Sequence, residues 1–308
     1  MLVMQTGTAP YTRSTDGTLT ATILANPAAD PDAVVDASLG EPGVPLRLHI
    51  PIPMPSATTF GRYFLARCGG ASLEARAEEW THYARRPLFA AGPPSAVAQG
   101  ESRWDLWLPA ATGDLGYAYL RRCAVGSTLN LIGPLGRQFD LLPHQRALVV
   151  LTESSHLALT LPLIHSVLDQ GGRVALIWHE PVQQAGKQPS VRLSGQLPLP
   201  VEVRRTTTRA DLQHHLTELV RWGDRLVATV DRGIRIAAGD PDFTPADLAH
   251  LIRARRFRVE PGFAQLLVET DLVCGYGACL TCVIPTADGG LTRACLHGPV
   301  LPLETLAR

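Results

Sequence analysis

Lysine is almost missing from this chain: Lys187 is the single lysine among 28 basic residues, and the rest are arginine. They are matched by 28 acidic residues, so the formal net charge is zero. A neutral chain has no whole-molecule attraction to nucleic acid or anionic lipid, and neither is expected as a partner. Long apolar runs are also lacking: no stretch reaches the roughly 18 residues of a membrane-spanning helix. Residues 1–13 lack the basic start, apolar core and small-residue cleavage site of a secretory signal. A cytoplasmic protein without membrane contact is expected. Familiar catalytic patterns are missing too, since neither H-E-x-x-H nor G-x-S-x-G occurs. Ser154, Ser155 and His156 are adjacent rather than triad-like. His214 and His215, neighbours on an expected helix, point about 100° apart and cannot share one metal. No catalytic residue is assigned.

Cysteine is scarce, at six residues, but unevenly placed. Cys68 and Cys123 stand alone and read as small buried hydrophobes. Cys274, Cys279, Cys282 and Cys295 follow the spacing C-x4-C-x2-C-x12-C. In a cytoplasmic setting such a group binds metal or does redox work more often than it forms disulfides. Four thiolates in this order suit a [2Fe–2S] cluster of the plant-ferredoxin kind. Gly275 and Gly277 allow the positive φ and close backbone approach of a loop wrapped around an inorganic core. Their amides, with that of Ala278, are placed to donate to the sulfurs. The alternative is a four-cysteine zinc site, which usually uses two C-x2-C knuckles where this chain has one.

The remainder divides by period. Residues 1–43 read as an N-terminal extension with one strand near 18–24. Residues 44–142 carry short strands at 46–51, 62–67, 104–108 and 128–132, punctuated by Gly and Pro as in an antiparallel β-barrel. A helix is expected at 72–85, where Leu73, Ala77, Trp80 and Ala84 share a face. Residues 143–262 alternate strands (147–151, 174–178, 201–204, 225–230) with helices (156–169, 209–222, 245–256), the pattern of a parallel α/β sheet. Pro162 is a candidate first-turn residue, and Thr208 and Thr244 are candidate caps. Residues 263–308 form the cysteine-bearing segment. The arginines at 253, 255, 256 and 258 read as a solvated face, or else as a dock for an acidic partner.

The tail Val273-Cys-Gly-Tyr-Gly-Ala-Cys-Leu-Thr-Cys-Val283, followed by Ala294-Cys-Leu-His-Gly-Pro-Val300, resembles the electron-transfer subunit of NAD-dependent dihydroorotate dehydrogenase. That family's tail runs approximately CGxGAC-x2-C…C-x-x-GPVF. Upstream, Gly61-Arg-Tyr-Phe-Leu-Ala-Arg67 resembles its PGQF-type strand, and Arg85-Arg-Pro-Leu-Phe89 its RRPxS flavin motif. Leu131-Ile-Gly-Pro-Leu-Gly-Arg-Gln-Phe139 resembles its LGPLGxxF segment. The resemblance implies a ferredoxin-reductase-like fold: a flavin-binding-like barrel, a NAD-binding-like α/β domain and a [2Fe–2S] tail. It implies FAD contacts at Arg86, Pro87, Gly113 and Gly116, and cluster ligation by Cys274, Cys279, Cys282 and Cys295. It also implies a redox partner resembling the family's catalytic subunit, within a hetero-oligomer of pyrimidine biosynthesis. The motifs depart from the family in places. Thr152-Glu-Ser-Ser-His-Leu-Ala158 has no glycine where the family has a glycine-rich pyrophosphate loop, so conventional NAD binding is not expected. Glu153, Ser154 and Ser155 read as helix caps. Phe89 replaces the flavin-motif serine, and Tyr117 follows Gly116 where a threonine is usual. Phe89, Trp80 and Tyr83 are expected to fill part of a flavin's space, or to cover the outside of the barrel. The leading expectation is an electron-transfer component. The second is a non-enzymatic paralogue without FAD or NAD, acting as a structural or redox-sensing subunit.

Overall fold

The computed structural model describes residues 17–29, 43–55, 59–70, 84–98, 100–109, 113–137, 139, 141–142, 144–153, 156–179, 197–230, 236 and 243–307. The helix expected at 72–85, with Trp80 and Tyr83, lies almost wholly outside them, as do Ser154 and Ser155.

Seven antiparallel strands build the first half: β1 (Leu19–Ala25), β2 (Val44–Ile50), β3 (Tyr63–Ala66), β4 (Arg86–Ala90), β5 (Ser95–Ala98), β6 (Glu101–Leu108) and β7 (Thr128–Leu135). Their order is β2-β1-β7-β3-β4-β6-β5, and β2 also pairs with β6. That last pairing closes six strands into a barrel, with β5 added outside the ring. Alternation drives closure: Leu19, Ala21 and Ile23 on β1, and Leu46, Leu48 and Ile50 on β2, all point inward. Phe64 meets Trp104 edge-to-face at 5.2 Å inside the barrel. β1 therefore contributes to the barrel, although it falls in the segment read from sequence as an extension. β4 was recognised only as a motif, not as a strand. Helix α1 (Leu115–Arg122), capped by Asp114, was not anticipated.

The second half is a six-stranded sheet in the order β10-β9-β8-β11-β12-β15. It comprises β8 (Ala147–Thr152), β9 (Arg173–His179), β10 (Glu202–Thr206), β11 (Arg225–Val230), β12 (Ala264–Val268) and β15 (Val300–Pro302). The first five are parallel, and β15 adds antiparallel at the edge. Every residue of β8 and β11 is buried, as expected when helices cover both faces. The helices are α2 (Leu157–Asp169), α3 (Arg209–Trp222) and α4 (Pro245–Arg255). Thr208 caps α3, and Thr244 with Asp247 forms a capping box on α4, as expected. Pro162 does not start α2. It sits inside the helix, where burial from Leu157 to Ile164 outweighs the missing backbone hydrogen bond. Two of the tail's strands, β12 and β15, thus complete the α/β sheet.

Candidate iron–sulfur centre and the adjoining cavity

The four tail cysteines are brought together by a loop and a hairpin. The loop leaves β12 and lays Cys274 and Gly275 against the outer face of β3 and β7, and it carries Cys279 as an exposed residue. Gly275 has φ +78°, and a Cβ there would lie 2.7 Å from Leu135 Cδ1 and 3.0 Å from Leu65 Cδ1. Glycine is required by both the backbone and the space. The hairpin pairs β13 (Val283–Pro285) with β14 (Leu291–Arg293), so the residues flanking it, Cys282 and Cys295, become neighbours. Helix α5 (Ala294–His297) holds Cys295, and Ala294 N–H donates to Cys282 O at 3.0 Å. The Cys282 and Cys295 sulfurs stand 3.2 Å apart as free thiols. Cys274 and Cys279 form a second hydrogen-bonded pair.

Electrostatics separate the two pairs. Burial opposes ionisation of Cys274, but the amides of Cys279, Tyr276 and Ala278 and the Cys279 thiol outweigh it, bringing its pKa down to about 6. The Cys295 thiol is pushed up, first by burial and then by the Cys282 sulfur, with the Gly277 amide pulling the other way. Of the expected donors, the Ala278 amide points to the Cys274 sulfur and the Gly277 amide to that of Cys295; the amides of Tyr276 and Cys279 also point to Cys274. Two sulfurs 3.2 Å apart cannot both ionise in a buried site without a compensating positive charge, which a metal centre provides.

The donor set fits a two-iron cluster. Each iron takes two thiolates, and the site offers two pairs. Among the described residues, no group of three or more His, Cys, Asp or Glu side chains is placed to hold a single metal ion. One further feature agrees with a sulfur-rich occupant. The Tyr63 hydroxyl is fully buried, shares a core with Cys282 and Cys295, and has no hydrogen-bond partner among the described residues. Of the isolated cysteines, Cys68 is buried in the barrel core and Cys123 is half-buried beside it; burial pushes the Cys68 thiol up to about 12.

A cavity of about 600 Å³ lies beside this loop, between β4 and β6 of the barrel and the ends of β8 and β12. Phe89, Trp107 and Tyr117 give it an aromatic lining suited to a flat ring. Phe89 lines this space rather than filling it, and packs on Tyr63 with ring centroids 5.4 Å apart. The expected flavin contacts converge at one end. Arg86 Nε donates to both Asp114 carboxylate oxygens at 2.9 Å, and Arg86 Nη1 donates to Ala84 O at 2.7 Å. The Pro87 carbonyl accepts from the Tyr117 hydroxyl at 3.1 Å. Gly116 permits this packing, because a Cβ there would lie 2.9 Å from Arg86 Nε. Gly113, at φ +79°, turns the chain into α1 with nothing within 4 Å of a Cβ. Burial disfavours the Asp114 carboxylate, but the Tyr117 amide and Arg86 still hold its pKa below the ordinary value. The ring-binding part of the cavity therefore fits a flavin, whereas the phosphate-binding part does not: one internal carboxylate occupies both the arginine and the helix's first amides.

Asparagine caps a helix as well as aspartate does. Asp114→Asn should therefore keep α1 while releasing Arg86, and tighten FAD binding by about 10-fold or more. Quenching of flavin fluorescence on titration measures this; equal affinity in both proteins would mean that the pair is no obstacle.

At the opposite end, the N-cap position of α2 is His156 rather than Glu153. Glu153 Oε1 lies 2.9 Å from His156 Nδ1, and Glu269 Oε2 lies 3.0 Å from His156 Nε2. Burial opposes a charge on His156, but these two carboxylates prevail and raise its pKa to about 9. Sheet crevices of this type hold ligands at the carboxyl ends of their strands. Here that end presents two carboxylates around one imidazolium, a charge that repels a pyrophosphate. In the basic run, Arg256 is structural: it donates to Val220 O and Gly223 O and stacks on Phe263.

Comparison with known proteins agrees with the cysteine geometry. Residues 269–307 match the iron–sulfur cluster binding domain of dihydroorotate dehydrogenase B. The tail is similar to that iron–sulfur segment over these residues. The dihydroorotate dehydrogenase B (NAD(+)) electron transfer subunit homolog of Aquifex aeolicus (strain VF5) is 49% identical over 37 residues. That match covers 12% of this chain and only 15% of the relative's length. Structural similarity is wider. An NADH-dependent reduced ferredoxin–NADP oxidoreductase, described for flavin-based electron bifurcation, aligns over 86% of this chain and 85% of its own. Its TM-score is 0.56 at 16% identity. The ferredoxin reductase of carbazole 1,9a-dioxygenase aligns over 81% of this chain and 68% of its own, with TM-score 0.54 and 14% identity. At such identities the likeness establishes the fold alone: a ferredoxin-reductase-like barrel followed by a parallel-sheet domain. Among the described residues, no helix is long and apolar enough to cross a membrane.

Proposed function

We propose that this chain is the iron–sulfur component of a two-protein oxidoreductase, exchanging single electrons with a partner protein. The observation that carries the reading is the assembly of Cys274 with Cys279 and Cys282 with Cys295 into two pairs on one loop and one hairpin. A bound [2Fe–2S] cluster supplies a one-electron carrier whose potential is tuned by hydrogen bonds to its sulfurs. The residues of the chain give that carrier an inside and an outside. Cys282 and Cys295 are buried against the barrel. Cys279 is exposed, with Tyr276 and Leu280 exposed beside it, so a docking protein reaches this edge.

Under this reading the partner resembles the catalytic subunit of dihydroorotate dehydrogenase, in a cytoplasmic hetero-oligomer. The chain acts as an electron-transfer component rather than a stand-alone enzyme. Its working parts are the flavin-binding-like barrel at 44–142 with the added strand β1, the NAD-binding-like domain at 143–262 and the cluster segment at 263–308. FAD is a candidate occupant of the aromatic cavity, and NADH is not the direct donor. The similarities to known proteins favour this reading over the second, a nucleotide-free structural or sensing subunit. Anaerobic titration tests the proposal. Dithionite should bleach the visible spectrum with about one electron per chain taken up by the cluster, and NADH alone should leave the cluster bands unchanged. Absence of a reducible chromophore, or rapid bleaching by NADH, would contradict it.

A further inference from the structure

Tyr63 begins β3, where alternation sends Phe64 and Ala66 into the barrel and Tyr63 and Leu65 out toward the tail. The outward face is not open to water. Leu65 lies against Gly275 of the cysteine loop, and Tyr63 shares its core with Cys282, Cys295 and Ala294. The phenol is 0% exposed, and its hydroxyl has no hydrogen-bond partner among the described residues. Burying a hydroxyl unsatisfied carries a free-energy cost that phenylalanine would avoid at the same ring volume. The charged groups acting on the phenol are, in decreasing strength, Cys295, Cys282 and Cys274, which together with burial raise its pKa well above the ordinary range. Every one of them is a sulfur of the proposed iron site.

We infer that the Tyr63 hydroxyl donates a hydrogen bond to a sulfur of the iron–sulfur centre on its Cys282–Cys295 side, and so sets the reduction potential. This rests on the reading of the four cysteines as cluster ligands. Tyr63 is thus a tuning residue, held in place by Phe89 on one side and by the Gly136 turn on the other. A donor to sulfur stabilises the reduced, more negative centre. Removing it disfavours reduction.

The test uses the full-length protein purified anaerobically, with wild type and Tyr63→Phe compared. The variant should carry the same iron and sulfide as wild type. Its midpoint potential should fall by about 59 mV, a 10-fold change in the one-electron equilibrium. Phe89→Leu, which alters the packing on Tyr63 but keeps its hydroxyl, should show less than half of that shift. In deuterium oxide, the wild-type iron–sulfur stretching modes should move, and those of Tyr63→Phe should move less. An unchanged or raised potential in Tyr63→Phe, or identical isotope shifts in the two proteins, overturns the inference while leaving the cluster intact. If the variant loads no iron, the wild-type isotope shift decides: no shift overturns the inference. A wild type without iron or sulfide defeats the underlying cluster reading instead.

Discussion

Cys282→Ala should abolish the iron centre while leaving the rest of the molecule folded. Cys282 is 1% exposed, and its sulfur lies 3.2 Å from that of Cys295. Removing it leaves the Cys295 sulfur without the partner that completes its pair. Loss of an outer partner of a metal ligand costs about 10-fold to 100-fold in affinity, and loss of the ligand itself should exceed that. Iron per chain should therefore drop to background, together with the visible absorption. The barrel does not depend on this sulfur, since its core of Leu19, Leu46, Phe64, Trp104 and their neighbours is separate. Far-ultraviolet circular dichroism should change little. Cys68→Ala is the matching control. It removes an equally buried thiol from the barrel core, so full iron content is expected. Retention of iron by Cys282→Ala, or its loss from Cys68→Ala, would mean that the ligands are misassigned.

Gly275→Val should have nearly as large an effect, with every cysteine still in place. At φ +78° a β-branched residue is strained by about 1–3 kcal/mol. Its Cβ also meets Leu65 and Leu135, and Leu65 is wholly buried and cannot swing aside. Overpacking of that kind costs about 1–3 kcal/mol more. The simplest relief is for the loop to lift off β3 and β7, carrying Cys274 away from its partner. Iron content of purified Gly275→Val should fall several-fold, with a lower melting temperature. Gly289→Ala provides the contrast: it too has positive φ, at +84°, but nothing lies within 4 Å of its Cβ. It should keep its iron. Equal iron in Gly275→Val and wild type would show that the docking of the loop on the barrel does not hold the site together.

The cysteine site was the most legible part of the sequence, because loop spacing and glycine placement are local properties. Strands with clean alternation, such as β2 and β6, were legible for the same reason. β4 was hidden because its sequence, Arg86-Pro-Leu-Phe-Ala90, begins with a charge and a proline and does not alternate. Helix α1 is only eight residues long and is fixed mainly by its Asp114 cap, so its periodic signal is weak. What the sequence could not show were pairings across distance. Arg86 is 28 positions from Asp114, and His156 is 113 positions from Glu269. Glu153 looked like a cap because the Glu269 side of its network was out of local view. Tyr63 carried no signal as a functional residue; only the tail folding back over β3 gives its hydroxyl a role.

Iron and acid-labile sulfide, counted on anaerobically purified protein, test the central assignment most directly. Two irons and two sulfides per chain are expected, with a visible spectrum that dithionite bleaches. A single zinc without sulfide, or a metal-free protein with Cys282 joined to Cys295 as a disulfide, would contradict it.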